Sequence, residues 1–145
     1  MSQHTITRIA NVLDAQFGGH IDMSDWDGKP EADRKKAFLS RAVAALCIRR
    51  VAQVEVDVAS QAVTDGFGDN GLDAIFFDQN NDTLIVVQSK WSADGTKPID
   101  ADSTGAMATG LRDLLAGHLD RFNEKIKAKK PECLSENMLN HRNHL

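Results

Sequence analysis

Two stretches decide the fold: residues 64–78 read TDGFGDNGLDAIFFD, and residues 84–91 read LIVVQSKW. The first stretch opens with three glycines in eight residues, which predicts a loop over 64–71. Apolar runs over 72–77 and 83–87 predict two strands, and the polar residues 79–82 between them predict a turn. The sequence therefore predicts an antiparallel hairpin whose first strand leaves a glycine-rich loop.

Polar side chains gather at the open end of this hairpin. Asp73 begins the first strand, and Gln88 and Lys90 end the second. Antiparallel pairing brings the start of one strand beside the end of the next, and residues two apart on a strand share a face. We therefore expect Asp73, Gln88 and Lys90 to converge at one edge of a small sheet. The alternative is an Asp73–Lys90 ion pair that serves the structure alone.

These residue types suit phosphodiester hydrolysis assisted by a divalent cation. Magnesium takes one or two carboxylates and keeps water and substrate oxygens in its coordination shell. We expect Asp73 to supply the anionic ligand, and the Gln88 amide oxygen and the Ser89 backbone carbonyl to supply neutral ones. Lys90 would orient the attacking water or stabilise the charge that develops on the phosphorus.

The charge distribution agrees with a metal-binding segment. Residues 55–102 hold ten acids and two bases, a balance of −8, within a chain whose net charge is −4. Asp65 and Asp69 lie close enough in sequence to Asp73 to act as further ligands. A turn role is the alternative for both, since Asp is favoured beside glycine in turns, and ordinary solubility is the alternative reading of the whole charge pattern.

Helices are predicted upstream of the hairpin. Residues 1–17 have a helical apolar pattern that Gly18 and Gly19 end, and a longer helix runs from Pro30 to about Val51. Its expected buried stripe is apolar, with Arg41 and the other basic residues mostly elsewhere; the stripe comprises Leu39, Ala42, Val43, Leu46 and Cys47. Residues 53–63 fit a strand or a short helix equally well.

Downstream, residues 92–104 are predicted as a loop and residues 111–126 as a helix. This helix ends in a basic stretch that could contact phosphates or simply be solvated: Lys125, Lys127, Lys129 and Lys130. Residues 131–145 are expected to be a flexible polar tail. The sequence thus predicts one domain over 1–130, with its core at about 36–125.

Composition excludes several classes of protein. At 41% hydrophobic residues the chain can fill a core, yet no run approaches the roughly 18 apolar residues of a membrane helix. No secretory signal is visible at the N-terminus. Cys47 and Cys133 are too few and too far apart for a disulfide scaffold, so we expect a cytoplasmic protein without a membrane partner.

The two stretches resemble the PD-(D/E)XK nuclease superfamily in its Gln-x-Lys form, as found in Mrr-type restriction endonucleases. More narrowly, they are similar to the N-terminal nuclease domain of abortive infection phage resistance proteins. Over residues 36–125 the shared motifs are Thr64-Asp65-Gly66, Asp69-Asn70-Gly71-Leu72-Asp73 and Gln88-Ser89-Lys90-Trp91. The resemblance implies an α/β (α+β), restriction-endonuclease-like core, with a short mixed sheet flanked by helices.

The chain departs from this pattern in two respects. The superfamily usually contributes an acid from its first helix, and residues 38–51 contain none. Glu31, Asp33 or Glu55 is expected to supply it. The phage resistance proteins are also several times longer, so the chain is expected to be a nuclease portion, a truncated gene product or a stand-alone remnant.

The resemblance implies a metal-dependent endonuclease that uses Mg²⁺ or Mn²⁺, acts on DNA or RNA and serves prokaryotic phage defence. A homodimer is left open. The alternative function is an inactive nuclease fold that binds nucleic acid or a protein partner, and the missing helix acid is its main support.

Overall fold

The computed structural model describes residues 2–129 and shows an α+β fold. Its helices and strands follow in this order: α1 Gln3–Phe17, α2 Glu31–Ala52, α3 Val56–Gln61, β1 Ala74–Asp78, β2 Thr83–Val87, α4 Ala101–Ala116 and α5 Glu124–Lys127. Short 3-10 turns cover Ser24–Trp26 and Leu119–Arg121. The predicted tail and Lys130 lie outside the described residues.

The hairpin forms as predicted. Strands β1 and β2 pair antiparallel, with Ala74 opposite Val87 and Asp78 opposite Thr83. Within residues 2–129 these are the two strands of the sheet, so the prediction of a mixed sheet is wrong. The ambiguous segment 53–63 contributes helix α3 instead of a third strand, and touches the sheet through an isolated bridge between Val63 and Ala74.

Helices cover both faces of the sheet, which gives three layers. Because side chains alternate along a strand, each strand feeds two apolar clusters. Phe76, Ile85 and Val87 pack against the cluster built mainly from α1, α2 and α3. Ile75, Leu84 and Val86 belong to a second cluster with Leu72, Leu114, Phe122 and Ile126. The prediction of a sheet flanked by helices is confirmed.

Helix α2 lies at the centre of the first layer and contacts α1, α3 and both strands. The predicted stripe is wrong at two positions, and the first is explained by a helix enclosed on several sides, which buries more than one stripe. Arg41, placed elsewhere by the apolar pattern, is fully buried. Cys47, placed in the core, is exposed.

Helix α4 begins ten residues earlier than predicted and ends ten residues sooner. Asp100 caps its N-terminus by accepting a hydrogen bond from the Ser103 amide at 2.7 Å. Gly117, at φ 78°, ends it in the left-handed conformation. The apolar repeat that follows belongs to the 3-10 turn and to α5, which bury Phe122 and Ile126 without continuing α4.

Candidate metal centre

Asp73 lies where the glycine-rich loop enters β1, directly beside the end of β2. Its amide donates to the Val87 carbonyl at 2.9 Å, and its carboxylate accepts from the Ser89 amide at 2.6 Å. The residue is only 9% exposed. The antiparallel register therefore brings Asp73 to the segment that holds Gln88 and Lys90, as the hairpin predicts.

Two further carboxylates from the loop join Asp73. One carboxylate oxygen each from Asp65, Asp69 and Asp73 lies within 4.8 Å of the other two. Asp69 also closes the loop, because its carboxylate accepts from the Gly66 amide at 3.0 Å and the Gly71 amide at 2.8 Å. Asp69 is therefore both a turn residue that closes the loop and a carboxylate close to Asp73. We call Asp65, Asp69 and Asp73 the carboxylate cluster.

Burial and charge repulsion change the protonation of Asp73. Burial of the carboxyl raises its pKa to about 7, and the neighbouring charges of Asp65 and Asp69 act in the same direction. The hydrogen bond from the Ser89 amide opposes this shift without cancelling it. Near neutral pH the Asp73 carboxyl is therefore divided between its protonated and ionised forms, and a bound cation would favour the ionised form.

Asp65 is held by a buried arginine. The Arg41 Nε donates to Asp65 at 2.6 Å, and the two terminal nitrogens of Arg41 donate to the Asp25 carboxylate at 2.7 and 2.6 Å. Burial alone would lower the pKa of Arg41, but the hydrogen bonds to the two carboxylates raise it above its ordinary value. The side chain that α2 sends to the carboxylate cluster is therefore a guanidinium.

Gln88 and Lys90 both contact the start of α4. The Gln88 Nε2 donates to the Ser103 carbonyl at 2.8 Å, and the Lys90 Nζ lies 3.0 Å from the Asp100 carboxylate. Lys90 therefore pairs with Asp100, and the alternative of a structural Asp73–Lys90 ion pair is wrong. The intervening Ser89 donates through its hydroxyl to the Ser40 carbonyl on α2 at 2.7 Å.

The candidate helix acids lie apart from the carboxylate cluster. Glu31, Asp33 and Glu55 are exposed, and none joins the group formed by Asp65, Asp69 and Asp73. Glu31 instead lines a cavity of about 630 Å³ between α1 and α2. Among the residues that the structure describes, no acid of α2 therefore joins Asp65, Asp69 and Asp73 in a set of metal ligands.

The basic stretch of α5 is largely engaged within the fold. Lys125 donates to the Asp65 carbonyl at 3.1 Å, and Lys127 pairs with Glu124 at 2.7 Å. Lys129 is half-buried. Binding of phosphates by this stretch stays a prediction.

Sequence reasoning missed Arg41 and Asp25. Arg41 is one of four arginines in α2, so the sequence does not mark it as the buried one, and Asp25 lies sixteen residues away in a polar segment. Asp25, Arg41 and Asp65 line a cavity of about 580 Å³ beside the carboxylate cluster. The tertiary contacts are therefore what assign these residues to the site.

The residues present fit a hard divalent cation. The candidate donors are oxygens alone, a set that suits Mg²⁺ or Mn²⁺. Arg41 offsets the charge of Asp65, whereas the raised pKa of the buried Asp73 carboxyl means that a proton or cation is favoured beside Asp73 and its neighbour Asp69. Asp65, Asp69 and Asp73 would hold the ion, with the Gln88 amide oxygen and the Ser89 carbonyl as candidate neutral ligands.

No family model, curated protein or solved structure matches this chain. Among residues 2–129, no helix has the length and apolar character needed to cross a bilayer.

Proposed function

We propose that this chain is a metal-dependent endonuclease domain with a restriction-endonuclease-like core, acting in the cytoplasm in prokaryotic phage defence. The observation that carries the proposal is the carboxylate cluster, whose three oxygens lie within 4.8 Å of one another around the buried Asp73. The Gln88-Ser89-Lys90 segment supports the proposal through Ser89, whose amide donates to the Asp73 carboxylate at 2.6 Å.

A bound Mg²⁺ or Mn²⁺ would supply Lewis-acid polarisation of the phosphate and a more acidic water. The protein's own residues position the reaction. Ser89 fixes the Asp73 carboxylate through its amide, and Arg41 fixes Asp65. Lys90, once it exchanges Asp100 for substrate, would place a positive charge beside the phosphate as its negative charge develops.

The test is the substitution Asp73→Asn, with Asp82→Asn as the matched control. Asp82 is an exposed acid in the hairpin turn with φ 48°, a conformation that Asn tolerates well. Plasmid DNA and single-stranded RNA would be incubated with each protein in Mg²⁺, in Mn²⁺ and in EDTA. We expect cleavage by the wild type and by Asp82→Asn with metal, and none by Asp73→Asn.

Full cleavage by folded Asp73→Asn, or equal cleavage in EDTA, would remove this site assignment. Calorimetric titration with Mn²⁺ should show binding by the wild type and by Asp82→Asn, and a loss of affinity in Asp73→Asn. Metal binding by the wild type without cleavage of any substrate would support the second function below.

The second candidate function is an inactive nuclease fold that binds nucleic acid or a protein partner. One observation favours it: α2 contributes the buried Arg41 to the carboxylate cluster, where the family pattern expects an acid. Arg41→Glu would not restore an acid cleanly, since it removes the pairing of both Asp25 and Asp65. The cleavage assay therefore decides between the two functions.

A further inference from the structure

Phe67, at the tip of the glycine-rich loop, is the most exposed large apolar side chain among residues 2–129. It is 104% exposed, as open to water as in an extended chain. Apolar side chains scattered on a surface are common, but an aromatic ring with no packing at all gains nothing from folding. A role in folding therefore does not explain Phe67.

The loop that carries Phe67 is nevertheless well anchored. Gly66 and Gly68 flank it at φ 154° and 82°, a region of backbone conformation that favours glycine. The Gly66 amide donates to Asp69 at 3.0 Å, and the Gly68 carbonyl accepts from the Asn123 amide at 2.9 Å. The ring is thus held outward by a hydrogen-bonded loop, between two members of the carboxylate cluster in sequence.

Phe67 stands on the rim of the cavity of about 580 Å³, which also takes in Trp26. Asp65 lines this cavity and belongs to the carboxylate cluster, so the two sites share a wall. An occupant of the cavity would lie next to the proposed metal. The cavity therefore combines aromatic side chains with one residue, Asp65, of the centre where cleavage is proposed.

The charged side chains that line the cavity balance at three acids and three bases. The acids Asp25 and Asp65 are both paired with Arg41, and Glu124 is paired with Lys127. Lys29 and Lys125 are the two lysines of the lining, and Lys125 lies close enough to Asp22 and Asp25 to lower the pKa of both carboxyls. Lys29 forms no ion pair with the residues that the structure describes, and the Lys125 ammonium donates to the neutral Asp65 carbonyl.

We propose that this cavity binds an unpaired nucleotide of single-stranded nucleic acid, with its base stacked on Phe67 and its phosphates near Lys29 and Lys125. A base within a duplex is stacked on its neighbours and offers no face to an aromatic ring, whereas an unpaired base does. Every base has such a face, so the contact would be tolerant of sequence. The inference rests on the proposed function, whose substrate class it specifies.

Fluorescence anisotropy in EDTA tests this without cleavage. The probes are a labelled oligothymidine of about 12 nucleotides, the same strand annealed to its complement, and a strand of equal length with abasic sites. The variants are Phe67→Ala, Phe67→Trp and the control Val51→Ala, which truncates another exposed apolar residue at the end of α2.

We expect Phe67→Ala to raise the Kd for the single strand about 5- to 100-fold, the size of losing one stacked base. The Kd of Phe67→Trp should stay within about twofold of the wild type because tryptophan keeps an aromatic ring for stacking. The Kd of Val51→Ala should stay within the same range because Val51 lies outside the cavity. Duplex and abasic probes should bind weakly and respond little to Phe67→Ala.

An unchanged Kd for the single strand in Phe67→Ala would overturn the inference, as would an equal loss on the abasic probe. So would sedimentation data in which Phe67→Ala dissociates a homodimer and leaves nucleic-acid binding intact, because Phe67 would then be a protein contact. Binding that depends on Phe67 in a protein that never cleaves would contradict the endonuclease and keep the inference. A Phe67→Ala protein that cleaves at the wild-type rate would contradict the inference and keep the endonuclease.

Discussion

Single side chains in this protein carry both a structural and a candidate chemical role. Asp69 closes the glycine-rich loop through two backbone amides while its carboxylate stays beside Asp73. Asp65 accepts from the buried Arg41 and still belongs to the carboxylate cluster. Substitutions at Asp65 or Asp69 would therefore confuse loss of folding with loss of metal. Lys90, which is exposed and pairs with Asp100 outside the cluster, separates these effects best, and Asp73 variants need their folding measured beside their activity.

Asp73 should make the free energy of unfolding depend on pH. Its folded-state pKa of about 7 lies above the unfolded value of 3.8, so ionising it opposes folding. Stability should therefore fall as pH rises from about 4 through 7, by about 4 kcal/mol at most. Urea denaturation in EDTA should show this fall in the wild type and much less of it in Asp73→Asn. Equal pH profiles for both proteins would contradict the environment assigned to Asp73.

Lys90 should act on the rate of cleavage more than on binding. Lys90→Ala removes a charge that is needed as the phosphate becomes more negative, so we expect about a hundredfold loss or more in single-turnover cleavage. Binding of nucleic acid and of Mn²⁺ should change far less. Lys90→Arg should not restore the rate, because a planar guanidinium does not replace a compact ammonium. An equal loss of binding and cleavage would make Lys90 a phosphate anchor.

At the scale of elements, the close approach of the glycine-rich loop to α4 positions the candidate site. Gly110 of α4 faces the loop, where an added Cβ would lie 2.3 Å from the Asn70 carbonyl oxygen. On the loop side, a Cβ on Gly71 would lie 2.8 Å from the Met107 amide nitrogen. Helix α4 therefore packs on the loop backbone directly, and its first turn receives Gln88 and Lys90.

Two glycines in α4 should respond to alanine in opposite directions. Gly105 has open space around its added Cβ, so Gly105→Ala should stabilise the protein by about 0.5–1 kcal/mol through helix propensity. Gly110→Ala gains the same propensity but collides with the Asn70 carbonyl, and should destabilise the protein by about 1–3 kcal/mol. Urea denaturation of both variants measures the difference. A stabilising Gly110→Ala would show that α4 does not pack on the loop as described.

At the scale of the whole molecule, Arg41 connects parts of the chain that are distant in sequence. It lies on α2 and donates to the Asp22 carbonyl at 2.8 Å, to Asp25 in the 3-10 turn and to Asp65 in the glycine-rich loop. The helical layer and the loop of the candidate site are thus joined through one fully buried side chain. A buried charge of this kind is costly unless all its partners are present.

Arg41→Met should therefore destabilise the protein by about 3–5 kcal/mol, since it leaves two carboxylates without their cation. The triple variant Arg41→Met, Asp25→Asn, Asp65→Asn removes the charges together and should recover a large part of this loss. Thermal and urea denaturation of the two variants give the comparison. If the triple variant is no more stable than Arg41→Met, charge pairing is not what Arg41 contributes.

The sequence alone determined the local parts of this protein. The hairpin, the glycine-rich loop and the cores of α1 and α2 follow from periodicity and turn residues, which act over a few neighbouring positions. The meeting of Asp73 with the Gln88–Lys90 segment follows too, because antiparallel pairing across a short turn leaves little freedom of register. The bounds of α4 did not follow, since its glycines and threonines weaken the helical signal.

Only the tertiary structure decided how the site is completed. The burial of Arg41 and its pairing with Asp25 and Asp65 depend on α2 being enclosed by helices and sheet. Residues 56–61 fit a strand and a helix equally well by local pattern, and packing decided for the helix. The antiparallel sheet therefore has two strands among the described residues. These features are stabilised by contacts between residues distant in sequence, and the spacing of neighbouring residues does not predict such contacts.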